Sequence, residues 1–273
     1  MGVCLLPLKD KKYKSNQTIL KLYGYGDNWK IKVINMNSLR TAGVEDDNDK
    51  LNANRCLVND CKLADNITRA KSSIFELAFC NPWEYFFTAT LNPAKYDRTD
   101  LEKFHKDLTQ WFRDYRKKYN IPLAFLLIPE LHADGKSWHI HGLLHGIPEE
   151  HLQQFKIGDV MGKALADKVK NGDIVYNWSA YEKKFGFCSL EAVKNFEAVC
   201  KYLTKYINKN LASSVTELNA HLYYHSRGLN TAKTMKKGTM LADIAPSFVG
   251  DYCSIAWLDY DEVTLQNLVD SFV

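Results

Sequence analysis

No apolar run in this 273-residue sequence approaches the ~20 residues needed to span a bilayer; the longest, Leu123 to Ile128, is a third of that. The first ten residues carry no apolar stretch of the secretory kind, so neither a leader nor a membrane anchor is expected and the predicted location is the cytoplasm. The seven cysteines include no C-x-x-C pair, and Cys56 and Cys61 have no second pair or nearby histidine, which disfavours a zinc site and a disulfide framework alike. No G-x-x-x-x-G-K-[ST] phosphate loop occurs: the stretch from Gly158 to Lys163 has the wrong spacing and lacks the hydroxyl after lysine. A built-in nucleotide-driven motor is therefore not expected. Internal repeats and low-complexity tracts are also missing. What remains is a chain 46% apolar, 12% aromatic and 25% charged, which excludes global disorder and can bury a sizeable core.

The net charge of +4 is modest, but its distribution is uneven. From Lys194 to Met240 eight lysines and arginines face two glutamates, whereas from Leu241 to Val273 there are six acidic residues and no Lys or Arg. A basic stretch ahead of an acidic tail fits a polyanionic partner, and fits equally a solvated lysine-bearing surface.

Thr18 to Tyr23 and Lys30 to Met36 read as strands joined across Gly24 to Asn28, and 62–80 reads as a helix stopping before Asn81-Pro82. Trp83 to Leu91 is aromatic and β-branched, as expected of a buried strand. Thr99-Asp100 is suited to cap a helix running to about Tyr119, with Leu101, Phe104, Leu108, Trp111, Phe112 and Tyr115 at helical spacing. Leu123–Leu131 and Trp138–His145 form a predicted hairpin about an Asp134-Gly135 turn. A helix over 160–170, strands near 174–178 and 185–189, and a last helix from about Leu190 to Asn210 complete the pattern. This order predicts an α+β fold of ferredoxin/RRM-like type: one antiparallel sheet, helices packed on one face, the other face open for a ligand. The division expected is an N-terminal extension (1–80), a central domain (81–211) and a basic-then-acidic C-terminal extension (212–273).

Chemistry concentrates at two places. In Trp138-His139-Ile140-His141-Gly142, alternation along a strand points His139 and His141 to one side. The Asp134-Gly135 turn returns Glu130 beside His139, giving two imidazoles and a carboxylate, a mixed set suited to Mg²⁺ or Mn²⁺. Taken singly, these side chains also fit surface histidines and a solvated carboxylate. Thr88 and Thr90 on the first strand are candidates to face the same site, while His145 at the strand end and His132 in the turn read as peripheral. The second place is Lys201-Tyr202-Leu203-Thr204-Lys205-Tyr206-Ile207-Asn208-Lys209. On a helix, Tyr202 and Tyr206 lie one turn apart on a flank with Lys205 and Lys209, an arrangement for phenolic attack on phosphorus with ammonium groups beside it. An amphipathic helix whose tyrosines cover a sheet edge would show the same spacing.

Taken in order, the aromatic strand Phe86-Phe87-Thr88-Ala89-Thr90-Leu91-Asn92, Glu130, His139-Ile140-His141, then Tyr202 and Tyr206 with their lysines resemble the HUH endonuclease superfamily. Within it the pattern is similar to the two-tyrosine rolling-circle replication initiators of small single-stranded DNA phages, plasmids and related bacterial mobile elements. The segment from His221 to Leu229 is also similar to one seen in such initiators. The resemblance implies a Mg²⁺ or Mn²⁺ ion on Glu130, His139 and His141. It further implies a tyrosine that nicks single-stranded origin DNA to leave a free 3′ hydroxyl and a 5′-phosphotyrosine, and a second tyrosine that can cut again. With no motor in the chain, a host helicase is the implied partner. An HUH transposase shares this chemistry, and a non-catalytic RRM-like nucleic-acid-binding module is the reading from another class; the sequence has no RRM aromatic signature.

Overall fold

The computed structural model describes residues 11–13, 17–36, 39–41, 60–203, 222–250 and 253–273. In chain order these form β1 (Lys11–Tyr13), β2 (Gln17–Tyr25), β3 (Asn28–Met36), β4 (Leu39–Thr41), α1 (Asp60–Phe79), β5 (Tyr85–Ala89), α2 (Leu101–Tyr119), β6 (Ala124–Leu131) and β7 (Trp138–His145). Then follow β8 (Gln153–Gln154), α3 (Lys163–Lys170), β9 (Val175–Asn177), α4 (Ser179–Lys184), β10 (Cys188–Ala192) and α5 (Phe196–Leu203). The chain closes with β11 (Tyr224–His225), β12 (Lys233–Gly238), β13 (Phe248–Val249), β14 (Cys253–Asp259) and α6 (Glu262–Asp270). The architecture is mixed α+β with antiparallel sheets.

Two compact units arise, Met1–Leu57 with Thr231–Val273, and Val58–Asn230. In the first, the strand order is β12-β2-β3-β14-β13. The β2–β3 hairpin turns on Gly26, whose φ of 57° is left-handed and costs a glycine little. Leu20, Ile31, Val33 and Ala256 bury one sheet face with Leu268 of α6. The sequence reading treats 1–80 and 212–273 as two extensions; here their strands share one sheet, since β2 pairs with β12 and β3 with β14, while α1 belongs to the other unit.

The second unit is built on a sheet of order β11-β6-β7-β5-β10-β9-β8. Its helix α2 starts where Asp100 accepts from the Lys103 amide at 2.9 Å and stops where Asn120 turns left-handed at φ 51°. Phe104, Leu108, Phe112 and Tyr115, at helical spacing, face Phe87, Ala89, Leu127, Ile140, Leu144 and Leu190 from four strands. Each such large side chain contributes about 1.5–3 kcal/mol by leaving water. Pro129 lies within β6, where β7 is its only described neighbour, because β11 pairs only with Leu126 and Leu127. A proline without an N–H is tolerated at such an edge.

The structure departs from the sequence expectations in two respects. Leu190 does not begin a helix: Cys188–Ala192 is a strand, with Leu190 paired to both Phe87 and Tyr176, and the helix begins at Phe196. Burial between two strands overrides the helix propensity of Leu-Glu-Ala. The residues predicted to continue that helix, 204–210, lie outside the described ones. Second, helices are not confined to one face. Opposite α2, Leu126, Ile128 and Leu143 are fully buried, α1 packs against β6 and α5, and Tyr202 of α5 sits on Phe86 of β5. That second face is therefore only partly open.

Candidate functional site

The site begins with the β6–β7 turn. One Asp134 carboxylate oxygen accepts from the amides of Lys136 and Ser137, both at 2.8 Å, and these donors hold its carboxyl well below the usual range. His132 N–H donates to Ser137 O at 2.7 Å, and Gly135 takes φ 69°. This turn fixes the register: Glu130 opposite His139, Ile128 opposite His141, and Thr88 of β5 on the far side of His141. By strand alternation Glu130, His139, His141, Thr88 and Phe86 all project from the face opposite α2.

His141 is 8% exposed and held at both nitrogens. Its Nε2 lies 2.7 Å from Glu130 Oε2, its Nδ1 3.2 Å from Thr88 Oγ1, and its ring stacks on Phe86 at 6.1 Å between centroids. The hydrogen bond from His141 is the main cause holding the Glu130 carboxyl below its ordinary value, against a smaller opposing effect of burial. His139 stands with its ring 6.4 Å from that of His141 and 4.7 Å from that of His132. Burial, helped by the neighbouring cationic groups, pushes its pKa down to about 4. His139 is thus a neutral imidazole at physiological pH, the form that ligates metal.

Two imidazoles and an ionised carboxylate on one sheet face are chemically right for a divalent ion. Among the described residues, however, no three His, Cys, Asp or Glu side chains are already gathered into a metal cage. The Glu130–His141 hydrogen bond occupies Glu130 Oε2 and His141 Nε2, so a metal ion on those two atoms would need that bond to open.

Gly142 follows the histidine pair for a steric reason. A Cβ there would meet the Leu126 carbonyl oxygen, and would approach Leu127 Cδ2 to 2.8 Å and Leu127 Cα to 3.1 Å, so any side chain would force β7 away from β6. Tyr202, 45% exposed, is carried by α5 over the same face, its ring 5.7 Å from that of Phe86. Phe86 thus touches both His141 and Tyr202 from a single position. Beside it, a cleft of about 710 Å³ is lined by Phe86, Thr88, Glu191, Asn195 and Tyr202 among others. Tyr206, Lys205 and Lys209 lie outside the described residues.

Thr90 bonds to the Phe187 carbonyl at 2.8 Å and stays off the imidazoles, and His145 lies at the opposite strand end, 3.3 Å from Glu84 Oε1. Sequence reasoning missed Arg98, which sits in the loop before α2 with its Nη2 3.4 Å from His139 Nε2. No local motif marks it, because only the Trp138 N–H to Arg98 O bond, 2.9 Å across forty residues, brings it to β7.

Residues 84–211 match the family model of the Replication-associated protein ORF2/G2P, a span just under half of the chain that holds every candidate residue above. The matched family is one of replication-associated proteins. Neither the curated proteins nor the solved structures provide a significant match.

Proposed function

We propose that this chain is a rolling-circle replication initiator that nicks and rejoins single-stranded origin DNA through a tyrosine. The observation that carries the reading is the shared face: Glu130, His139 and His141 project on the side over which α5 brings Tyr202, with Phe86 in contact with both. The strand order β6-β7-β5-β10, with α2 joining its first two strands in sequence, supports a ferredoxin/RRM-like HUH domain within residues 81–211. The family match favours initiation over transposition.

Glu130, His139 and His141 would hold Mg²⁺ or Mn²⁺, which when bound supplies Lewis-acid stabilisation of charge on a phosphate. The protein's own residues do the rest. The phenol oxygen of Tyr202 or Tyr206 attacks phosphorus, the P–O3′ bond breaks, the departing oxygen takes a proton to become a 3′ hydroxyl, and the 5′ phosphate stays on tyrosine. The phosphodiester energy is conserved in that link, so the reverse attack by a 3′ hydroxyl rejoins strands without ATP. Lys205 and Lys209 supply positive charge to the phenol or to phosphate oxygens. Unwinding falls to a host helicase in the bacterial cytoplasm.

The test is incubation with single-stranded DNA from the chain's own element and Mn²⁺. A protein–DNA adduct stable to denaturant, abolished by EDTA and lost in the Tyr202→Phe, Tyr206→Phe double variant, is expected. If that double variant still forms the adduct, the tyrosine assignment falls.

A further inference from the structure

Among the described residues Arg98 is a cation without a counter-ion. Its buried Nε has no hydrogen-bond partner there, and no carboxylate of those residues lies within ion-pairing distance of its guanidinium. The nearby acids are engaged: Asp97 Oδ1 accepts from the Thr99 amide and hydroxyl at 2.8 and 2.7 Å, and Glu130 holds His141. Among the described residues the one polar contact of the guanidinium is the long approach of Nη2 to His139 Nε2, an acceptor too weak to offset burial of a cationic donor. The backbone is not free to withdraw it, since the Arg98 carbonyl is bonded to the first amide of β7, next to His139.

A partly buried guanidinium left without an anion costs free energy, and an arriving anion recovers it. The planar fork of an arginine matches two oxygens of one phosphate. We propose that Arg98 is a phosphate-binding cation of this site: its guanidinium grips the non-bridging oxygens of one phosphodiester of single-stranded DNA next to His139. The proposal rests on the reading of the site as one that takes single-stranded DNA, and assigns a role to a residue outside the histidine and tyrosine motifs.

The experiment is done in EDTA, so that it reports binding and no chemistry. Fluorescence anisotropy measures the affinity of the full chain for a single-stranded oligonucleotide over a salt series, for wild type, Arg98→Gln and Arg98→Lys. Arg98→Gln is expected to bind about tenfold more weakly and to lower the salt slope by about 0.7, the value of one phosphate contact on a single strand. Arg98→Lys keeps the slope and loses only part of the affinity. A set of oligonucleotides, each with one neutral methylphosphonate, then locates the contact: at one position the substitution weakens wild type and leaves Arg98→Gln unchanged. Wild-type affinity and slope in Arg98→Gln overturn the assignment and leave the nicking reading standing. Weaker binding with no methylphosphonate position coupled to Arg98 also overturns it, because a merely structural arginine behaves that way. Failure of the wild-type chain to bind single-stranded DNA removes both readings together.

Discussion

Thr88→Val removes one hydroxyl and keeps the shape and β-propensity of the residue, so it isolates the bond from Thr88 Oγ1 to His141 Nδ1. A carboxylate only accepts, so His141 Nε2 carries a proton toward Glu130, and in the neutral ring Nδ1 is then the acceptor for the Thr88 hydroxyl. Ligation through Nε2 demands the opposite tautomer, with the proton on Nδ1. A hydroxyl can serve either tautomer, as donor to one and acceptor from the other, and valine serves neither. In the ligating state the variant leaves an Nδ1–H group of an 8% exposed ring without its acceptor. One lost bond of this kind costs about 1–2 kcal/mol, roughly five- to thirtyfold in Kd, which overlaps the range of about 10–100-fold seen when the outer partner of a metal-bound histidine is removed. Calorimetric titration of Mn²⁺ into the DNA-free chain measures it directly. Thr88→Ser should bind as wild type and Thr88→Val five- to thirtyfold more weakly. Equal Mn²⁺ affinity in Thr88→Val and wild type, or a Thr88→Ser variant as weak as Thr88→Val, refutes the tautomer argument.

Gly142→Ala should lose about 2 kcal/mol or more in denaturant unfolding, because its Cβ meets strand backbone that cannot move aside; a change under about 0.5 kcal/mol, the scale of an ordinary surface substitution, would contradict the close approach of β7 and β6. Asn81→Ala should cost about 3 kcal/mol, at about 1 kcal/mol per bond, since the buried amide donates to Leu77 O and Asn230 O at 2.8 and 2.9 Å and accepts from Asn230 N at 2.8 Å; the same unfolding titration reads it. Cys188 and Cys200, whose thiols burial pushes up to about 12, should stay unmodified by a thiol reagent in the native chain and react once it is unfolded, as peptide mass mapping will record. Because the folded state keeps these two protons where the unfolded state, with values near 9, has released them, stability should fall as pH rises from about 9 toward 12; a flat profile there contradicts the burial.

Period and turn chemistry made the central elements legible. Asp100 and Asn120 bracket α2 as a capping residue and a left-handed stop, and the Asp134-Gly135 turn alone sets which side chains oppose which across β6 and β7. Because that register is local, Glu130, His139 and His141 could be placed together from sequence. Arg98 could not, because a hydrogen bond between distant backbones, and no spacing rule, brings it in. A short segment whose pairing is non-local was misread in part: Cys188 and Ser189 were expected in a strand, but Leu190–Ala192 has a helix-favouring composition and joins that strand only because β5 and β9 flank it.

The charge pattern shows most clearly how far composition reaches. The basic stretch from Lys194 to Met240 invites the image of one polyanion-binding patch. In the structure Lys194 pairs with Asp173 at 2.8 Å and Lys201 with Glu197 at 2.6 Å in one unit, while Lys233, Lys236 and Lys237 lie on β12, an edge strand of the other unit's sheet. Lysines on an edge strand discourage pairing with a second chain, which accounts for them without any ligand. What separates a binding cation from a solubilising one is therefore the absence of a partner where water is also scarce. Arg98 meets that criterion and these lysines do not, since Lys194 and Lys201 have carboxylates and the lysines of β12 have solvent. By this criterion a single arginine outside the basic run is a better candidate for phosphate binding than the described lysines of the run.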